Sequence, residues 1–429
     1  MHRIFRAALS LVATLACTVA YAQDDTPIAS INSPYSMYGF GSMADQSTVG
    51  RRGMGGVGYA INDGSSINLK NPASYAAIDS LTMLIDAGIS LYTTRLSNGT
   101  TSTSAKNASF DYVALQFRLC KGLGVALAYL PFSKVGYNFS TSERVNNSQA
   151  PGIDFGSNTY SYTGTGGLQQ LMLGLGWRPF DGLSIGVNAS FMHGTIDRTL
   201  SVSSTNTSSY GFTRTQQLKV KDYKIDFGLQ YAKAVKEHHR IGVGLFYSMG
   251  HDMNSDATIA YLKNSSSSVI SYDEASVAGG VAMPHIFGGG LSYTYDDRLT
   301  VAADYTMQMW GDKAFLGSKA MTDRSIYNVG AEYVHDTKSK RYLSTIRYRV
   351  GAYYSDPYVM INGHKGAREW GVSLGFAFPL VQNKSLVQVS GQYVKVSSSA
   401  EAIGLDEDMF KISVGITFNE RWFMKMKVR

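Results

Sequence analysis

The chain has 429 residues, with 39 Lys and Arg against 32 Asp and Glu, and its formal net charge of +7 is spread along the sequence. No basic stripe stands out, which argues against a nucleic-acid partner. The chain contains 28 Tyr and 44 Gly but only 9 Pro and 2 Cys. After the N-terminus, no apolar run approaches the roughly 18 residues of a membrane helix. This composition is typical of a membrane β-barrel, in which alternation dilutes the apolar residues.

The first 22 residues have the pattern of a secretory signal peptide. Arg3 and Arg6 form a short basic region, and a mostly apolar stretch follows from Ala7 to Thr18. Ala20 and Ala22 then place small residues at the −3 and −1 positions of a cleavage point. We therefore predict that residues 1–22 are removed and exclude them from the fold.

Cys17 leaves an alternative open, in which the chain is cleaved before this cysteine and lipidated on it. Thr14 stands where such a signal usually has leucine, which favours cleavage after the alanines. Once the signal is removed, Cys120 is the single cysteine, so no intramolecular disulfide is expected.

Residues 23–80 do not have the pattern of strands. They are rich in Gly, Ser and Asn with short apolar pieces. A unit of this length is too long for a simple linker and marginal as an independent core. We predict that it lies inside a barrel lumen, whose wall can satisfy its backbone groups.

The rest of the chain alternates with period two. Between Leu123 and Tyr129 large apolar and small residues take turns, and the same pattern runs from Leu171 to Trp177, from Leu183 to Met192 and from Phe410 to Phe418. Successive strand side chains point to opposite faces, so each segment has one apolar face and one small or polar face.

This pattern predicts an all-β fold, a closed antiparallel transmembrane barrel over residues 81–420 with a basic tail at 421–429. The predicted strands are 81–94, 108–119, 122–141, 157–177, 182–202, 213–232, 239–262, 283–295, 298–311, 322–335, 343–361, 367–378, 384–397 and 408–418. Short and long connections alternate, which is the topology of an outer-membrane barrel. It places both termini at the short-turn, periplasmic rim.

Aromatic residues near the strand ends predict two interfacial girdles. The predicted members are Trp177, Phe180, Phe378, Trp422 and Phe423 on the periplasmic side and Trp310 and Trp370 on the outer side.

Alternation also predicts a polar lumen, whose charges pair with one another or with the N-terminal unit. The predicted lumen-facing residues are Asp86, Gln116, Arg118, Asp226, Gln230, Asp304, Gln308, Glu332, Arg347, Arg349 and Lys411. A ligand pocket is therefore expected high in the barrel near the long loops, with a lining that the sequence does not identify.

The N-terminal unit contains a Gly-rich segment, Arg52–Gly58, followed by Asn68–Ser74. Together these segments resemble the hatch of the FadL-type family of outer-membrane transporters, in its OmpP/TodX-like branch. The segments Gly164–Trp177 and Met283–Tyr293 resemble that family too, so the likeness spans nearly the whole mature chain. It implies a barrel of fourteen strands that takes up long-chain fatty acids or other hydrophobic molecules.

The resemblance further implies release into the membrane through a gap where the third strand kinks beside the hatch. Pro131, followed by Phe132, interrupts the third predicted strand, and a proline in mid-strand marks a bulge or an opening. We therefore expect gating residues at Pro131 and Phe132 and at Asn71, Pro72 and Ala73, with the latter three lying against the gap. An ordinary bulge proline is the alternative.

Three short motifs suggest other chemistry and are better explained by the fold. The glycines between Gly53 and Gly58 match a dinucleotide fingerprint by letters but lack its strand and helix. Ser184 and Ser373 stand in mid-strand rather than in a nucleophile elbow. The pair His238 and His239 lies in a short turn. No enzyme activity, cofactor or metal is expected.

Transport is the leading hypothesis, with a hydrophobic small molecule as ligand and outer-membrane lipid and lipopolysaccharide as surroundings. A structural subunit of an outer-membrane secretion or protein-assembly complex is the second hypothesis. A polar porin is the third, and a lumen occluded by residues 23–80 argues against it.

Overall fold

The computed structural model describes residues 31–80, 82–145, 156–206, 210–264, 269–337, 339–380 and 385–421. Fourteen antiparallel strands form the wall in this part of the chain. They are β1 (Thr82–Ser97), β2 (Ser102–Cys120), β3 (Leu123–Pro131 and Ser133–Arg144), β4 (Ser157–Phe180), β5 (Leu183–Ser204), β6 (Gly211–Lys236), β7 (His239–Ser248 and Ser255–Asn264), β8 (Val269–Ser276 and Ile286–Tyr295), β9 (Leu299–Gln308), β10 (Arg324–Val334), β11 (Arg347–Ser355), β12 (Arg368–Pro379), β13 (Leu386–Ser397) and β14 (Asp406–Arg421).

The remaining described elements are short. They are the 3-10 turns Pro34–Met37 and Pro72–Ala77, the helical turns Val49–Arg52 and Tyr342–Thr345, the strand Ser42–Met43, and the paired strands His251–Met253 with Val281–Met283 and Met360–Ile361 with His364–Lys365. None of the helices in the described ranges is long and apolar enough to cross a membrane.

The sheet closes on itself because β1 pairs with β14 along its whole length, from Thr82 opposite Arg421 to Ser97 opposite Asp406. Closure leaves no free edge between the first and last strands, which an apolar environment requires. The predicted fold class, a closed antiparallel barrel of fourteen strands, is confirmed.

The outside of the barrel is apolar along the alternating face. In β4, Leu171, Leu173 and Leu175 are exposed, whereas Gly174 and Gly176 face the lumen. The alternation in the sequence therefore corresponds to a wall with one lipid-facing surface and one inner surface.

Near the long-loop rim, aromatic rings of adjacent strands lie side by side on the outer surface. The ring centroids of Tyr305 and Tyr327 are 5.0 Å apart, and those of Trp370 and Tyr393 are 5.7 Å apart. Trp177 and Phe180 are exposed toward the other rim, as predicted.

Trp310 is a correction to the predicted girdle. Its side chain is buried, with its ring 5.7 Å from Phe40 and 5.4 Å from Tyr358. The strand β9 ends at Gln308, so Trp310 lies in a loop that turns over the lumen. The predicted girdle residues Trp422 and Phe423 lie outside the described residues.

Two strand boundaries differ from the prediction, because pairing with the neighbouring strand, rather than the local sequence pattern, sets where a strand begins and ends. The predicted loop between 264 and 281 contains the strand Val269–Ser276, because it pairs with the upper half of β7. The predicted strand 343–361 is shorter, since Tyr342–Thr345 forms a helical turn and the pairing ends at Ser355.

A candidate lateral exit from a plugged lumen

A belt of lumen-facing glycines lets the N-terminal segment pack directly on the barrel wall. We call residues 31–80 the hatch. A Cβ atom on Gly186 would lie 2.3 Å from the carbonyl carbon of Pro72, and one on Gly351 would lie 2.1 Å from the Gly55 nitrogen. The belt consists of Gly124, Gly176, Gly186, Gly228, Gly244, Gly330, Gly351 and Gly375. Because no side chain fits between the hatch and the wall at these positions, the hatch fills this level of the lumen.

Polar side chains of the wall bind the backbone of the hatch at the same level. Asp304 accepts hydrogen bonds from the amides of Gly58, at 2.7 Å, and Tyr59, at 3.1 Å. Asn328 donates to the carbonyl of Gly55 at 2.6 Å, and Ser373 accepts from the Gly55 amide at 3.0 Å. Ser373 therefore holds the hatch.

An ion-pair cluster fixes the hatch to β10 and β11. Arg347 of β11 joins the two parts, because it lies 3.9 Å from Asp63 of the hatch and 3.2 Å from Glu332 of β10. Arg51 also lies 3.6 Å from Asp63, and Arg349 approaches Glu332 to 2.6 Å. Burial alone would raise the pKa of Asp63, but Arg347 and Arg51 hold this pKa below its ordinary value. The prediction that lumen charges pair with one another and with the hatch is confirmed at these residues.

Asn71 anchors the hatch far from Pro131. Its side chain accepts from the amide of Ala73 at 3.1 Å and donates to the carbonyl of Tyr59 at 2.8 Å. Pro72 packs on Gly176, Gly186 and Gly228, in β4, β5 and β6.

The structure does not bring Asn71, Pro72 and Ala73 to the gap, which corrects the expected contact. Pro131 pairs with Gln169, far along β4 from the Gly176 that Pro72 touches. The physical reason is the glycine belt, which draws the 3-10 turn that starts at Pro72 onto the wall formed by β4, β5 and β6.

The wall is interrupted between β2 and β3. Pairing of these strands runs from Cys120 opposite Leu123 to Val113 opposite Tyr129 and extends no further among the described residues. The rest of β3 stays paired with β4, from Val135 opposite Gly166 onward. Pro131 and Phe132 follow shortly after Tyr129, the last residue of β3 that pairs with β2.

The hatch fills the lower part of this gap. We call Ser42–Gln46 the gate segment. Ser42 and Met43 pair with β3 in place of β2, opposite Lys134 and Ser133. The amide of Ala44 donates to the carbonyl of Phe132 at 3.0 Å. This segment is a strand added to the free edge of β3.

Three further contacts hold the gate segment and the first described residues in place. Gln46 donates to the carbonyl of Pro131 at 3.0 Å. Above it, the Ser33 amide donates to Gly136 at 2.9 Å, and Asn32 donates to Asn107 of β2 at 3.4 Å. The described hatch thus begins in the long-loop half of the barrel.

A cavity of 370 Å³ lies in the lumen, on the inner side of the gap. Its walls include Pro131 and Phe132, the gate segment and the hatch residues Arg52, Tyr59 and Lys70. The cavity has the size of ordinary small-ligand sites. Its lining combines apolar surface with ionisable groups, namely Asp45, Arg52, Lys70, Asp111, Lys134, Lys224, Asp226, Arg324, Asp356, Glu369, Glu407 and Lys411.

An apolar cluster packs in the lumen on the long-loop side of the hatch. Phe40, Leu168, Met192, Met283 and Trp310 are members of it, and each is buried. The cavity borders this cluster, because Trp310 and Tyr358 line it, and it also contacts Asp356 and Pro357 in the long connection after β11. It therefore lies on the long-loop side of the hatch, where we expected a pocket.

The other sequence candidates do not assemble a reactive site. Ser184 is buried in the wall near Arg178, and the exposed His238 lies 3.0 Å from Asp296. Within the described ranges, no three His, Cys, Asp or Glu side chains are grouped to hold a metal ion.

Sequence reasoning missed the gate segment and two charged residues beside it, Asp111 and Lys134. One signal was available: Asp111 stands between Phe110 and Tyr112 and breaks the alternation of β2. The gate segment has only two residues in its strand, which is too short for a periodic pattern.

Comparison with known families gives one match over nearly the full length. The model of a family described as BamG matches residues 4–429. No curated protein matches.

Solved structures share the fold at low sequence identity. A monoaromatic hydrocarbon channel, CymD, is 14% identical with a TM-score of 0.60, covering 89% of this chain and 99% of its own. The Pseudomonas putida toluene transporter TodX is 12% identical with a TM-score of 0.57, covering 89% and 100%. A Pseudomonas aeruginosa FadL homologue is 12% identical with a TM-score of 0.54, covering 88% and 98%. At such identities the similarity establishes the fold alone.

Proposed function

The chain belongs to the BamG family, and from that premise we propose that it moves hydrophobic small molecules across the outer membrane. It releases them sideways through the gap between β2 and β3. The interruption of the wall beside the internal cavity is the observation that carries this proposal. The structural neighbours CymD, a monoaromatic hydrocarbon channel, and TodX, a toluene transporter, are consistent with it.

The plugged lumen supports a lateral route rather than a straight one. Among the described residues, the hatch backbone lies against the glycine belt on β3–β7 and β10–β12, which obstructs a straight path from the cavity toward the short-turn rim. The gap lies at the level of the cavity, and Pro131 and Phe132 line both. This arrangement also disfavours the polar porin.

Pro131 explains why the wall opens at this position. Proline has no amide hydrogen, so it cannot donate to a neighbouring strand. Its carbonyl is bound by Gln46 of the gate segment, at 3.0 Å, instead of by β2. Pro131 and Phe132 are therefore our candidates for the gating residues, with the gate segment as the moving part.

The cavity offers apolar surface to a hydrophobic ligand and charged groups to a polar end, where the ligand has one. Apolar surface from Met43, Leu130, Phe132 and Met172 meets the charged groups of the lumen there. Long-chain fatty acids and monoaromatic hydrocarbons are the two classes to compare.

A reversible disulfide across the gate tests the proposal. Met43 and Ser133 are paired residues of antiparallel strands, so the variant Met43→Cys with Ser133→Cys, in a Cys120→Ser background, can join the gate segment to β3. In cells that carry the variant in their outer membrane, we expect protein-dependent uptake of radiolabelled toluene or oleate to stop when this pair is oxidised and to return on reduction.

The matched control joins another pair of antiparallel residues, Met360→Cys with Lys365→Cys, in the short hairpin outside the wall. This variant should transport equally well oxidised and reduced. Undiminished uptake with the gate disulfide formed would refute lateral release at this gap.

A structural role in an outer-membrane assembly complex is the second candidate, and one observation favours it. Buried side chains of the apolar cluster, Phe40 and Trp310 among them, occupy lumen space that an entrance from the long-loop rim would need. A structural subunit needs no entrance. Purification from detergent distinguishes the two roles, since a stoichiometric partner protein supports the subunit and a lone barrel with bound lipid supports the transporter.

We further propose that the apolar outer surface contacts outer-membrane lipid and lipopolysaccharide. The long-loop rim then faces outward and the short turns face the periplasm. The first described residue, Ile31, contacts Gly136 in the long-loop half, so the periplasmic placement of the mature N-terminus depends on residues outside the described ranges.

A further inference from the structure

We propose that Asp111 of β2 and Lys134 of β3 form an electrostatic latch that holds the lateral gap closed, and that Arg52 couples this latch to the hatch. The inference depends on the proposed lateral exit, and it assigns that exit a specific closing element. It begins with an irregularity in β2.

A β-bulge turns Asp111 into the lumen at the edge of the gap. Gly88 of β1 pairs with Tyr112, and the next residue, Ile89, pairs with Phe110, so Asp111 is an extra residue in the strand. As a result both Asp111 and Tyr112 are buried, and Phe110 remains exposed. Bulges of this kind redirect a side chain at the cost of local pairing.

Lys134 reaches across the gap from the other side. Its ammonium lies 4.0 Å from Oδ1 of Asp111 and donates a hydrogen bond to Ser109. Ser109 and Asp111 belong to β2, beyond Val113, the last residue of β2 that pairs with β3. Side chains therefore replace the missing backbone hydrogen bonds between the two strands.

Arg52 connects the latch to the hatch and the gate segment. Its guanidinium is fully buried, with Nη1 at 2.5 Å from Oδ2 of Asp111 and Nε at 3.4 Å from Oδ2 of Asp45. Asp45 belongs to the gate segment, and Lys134 is paired with Ser42 of the same segment. Movement of the gate segment would thus disturb all these charges together.

Asp111 is the central group of this cluster. Arg52 and Lys134 share its carboxylate, and Lys411 of β14 adds a third cation to its surroundings. Without this carboxylate, Asp45 would be the remaining ion-pair partner of Arg52 and Lys134 would lose its paired carboxylate, which disfavours the closed arrangement. The gap should therefore loosen locally when Asp111 loses its charge.

Hydrogen–deuterium exchange of the full-length protein in lipid nanodiscs, without ligand, tests the latch. We expect Asp111→Asn to accelerate amide exchange in the gate segment and in residues 133–136 by about tenfold or more. Lys134→Gln should accelerate the exchange of the same amides. It leaves Asp111 compensated by Arg52, so it decides the question even if Asp111→Asn does not fold.

Asp226→Asn is the matched control. Asp226 is a buried carboxylate of β6 that lines the same cavity and pairs with Lys224 at 2.6 Å, away from the gap. In the Asp226→Asn variant, the amide exchange rate of the gate segment should stay within about twofold of its rate in the unmodified protein. Unchanged exchange in both latch variants, or equal acceleration in the control, would overturn the latch.

The exchange measurement uses no ligand, so it separates the latch from transport. If the latch variants exchange like the unmodified protein while the gate disulfide still blocks uptake, the latch is refuted and lateral release stands. If the latch variants loosen the gap but the disulfide leaves uptake intact, the latch holds and lateral transport is refuted.

Discussion

Gly351 of the wall and Gly55 of the hatch lie so close that a Cβ atom on Gly351 would be 2.1 Å from the Gly55 nitrogen. The other glycines of the belt also lie too close to the hatch for a Cβ atom to fit. The hatch is therefore held by direct packing of backbone on backbone, and the wall at this level tolerates no added methyl group.

We expect Gly351→Ala to lower the free energy of unfolding by about 1–3 kcal/mol, because overpacking displaces the hatch or the strand. Gly391→Ala is the matched control, since a Cβ atom on this glycine meets nothing within 4 Å. Denaturant unfolding in detergent, followed by the shift in gel mobility, measures both. Equal stability of the two variants would contradict the belt.

Asn71→Ala should destabilise the protein by about 1–3 kcal/mol, because it removes the cap of the turn that begins at Pro72 and leaves buried carbonyls unsatisfied. The Asn71 amide also donates to the carbonyls of Leu229, at 3.3 Å, and Leu245, at 3.2 Å. Asn71→Asp separates the two roles, because it keeps the cap acceptor and loses the donors. If Asn71→Asp is as stable as the unmodified protein in chemical unfolding, the role of Asn71 is limited to capping.

Trp310 and Trp370 should respond in opposite ways to lipid. Trp310 is 1% exposed, inside the lumen, and Trp370 is 40% exposed on the outer surface. In bilayers of brominated lipid, we expect fluorescence quenching to fall strongly in Trp370→Phe and to change little in Trp310→Phe. The reverse result would place Trp310 in the girdle after all.

Trp310→Ala should also cost about 3–5 kcal/mol of stability, since it leaves a cavity in the apolar cluster. Trp370→Ala is the control for this measurement, because lipid occupies the space that its side chain vacates. Chemical unfolding monitored by tyrosine fluorescence compares the two variants. A larger loss for Trp370→Ala would contradict the assignment of Trp310 to the cluster.

Glu332→Gln should lower stability by about 3–5 kcal/mol, because Arg347 and Arg349 lose the buried carboxylate that they share. Lys395→Gln breaks the more exposed pair with Asp406, at 3.6 Å, and should change stability by less than about 1 kcal/mol. Thermal unfolding of the two variants under the same conditions gives the comparison. Similar small losses would show that the lumen cluster does not fix the hatch.

The sequence by itself determined the barrel, its strand count and the two faces of its wall. Alternation such as that from Leu171 to Trp177 depends only on the period of a strand, which is the same in every β-structure. The lumen-facing charges followed from the same period, and Arg349 and Glu332 do pair inside. Pro131 could be proposed as a gating candidate because the missing amide hydrogen of proline is a property of the residue alone.

Only the tertiary structure decided where the hatch touches the wall and what closes the gap. The family resemblance placed Asn71 beside Pro131, but the two lie on different parts of the barrel, because the glycine belt fixes the hatch on β4, β5 and β6. Asp111 faces Lys134 through a bulge in pairing register, and register depends on both strands rather than on either sequence segment. Trp310 belongs to the apolar cluster because β9 ends at Gln308, two residues before it. The pairing of β9 with β10 sets that end, and no local sequence pattern specifies it.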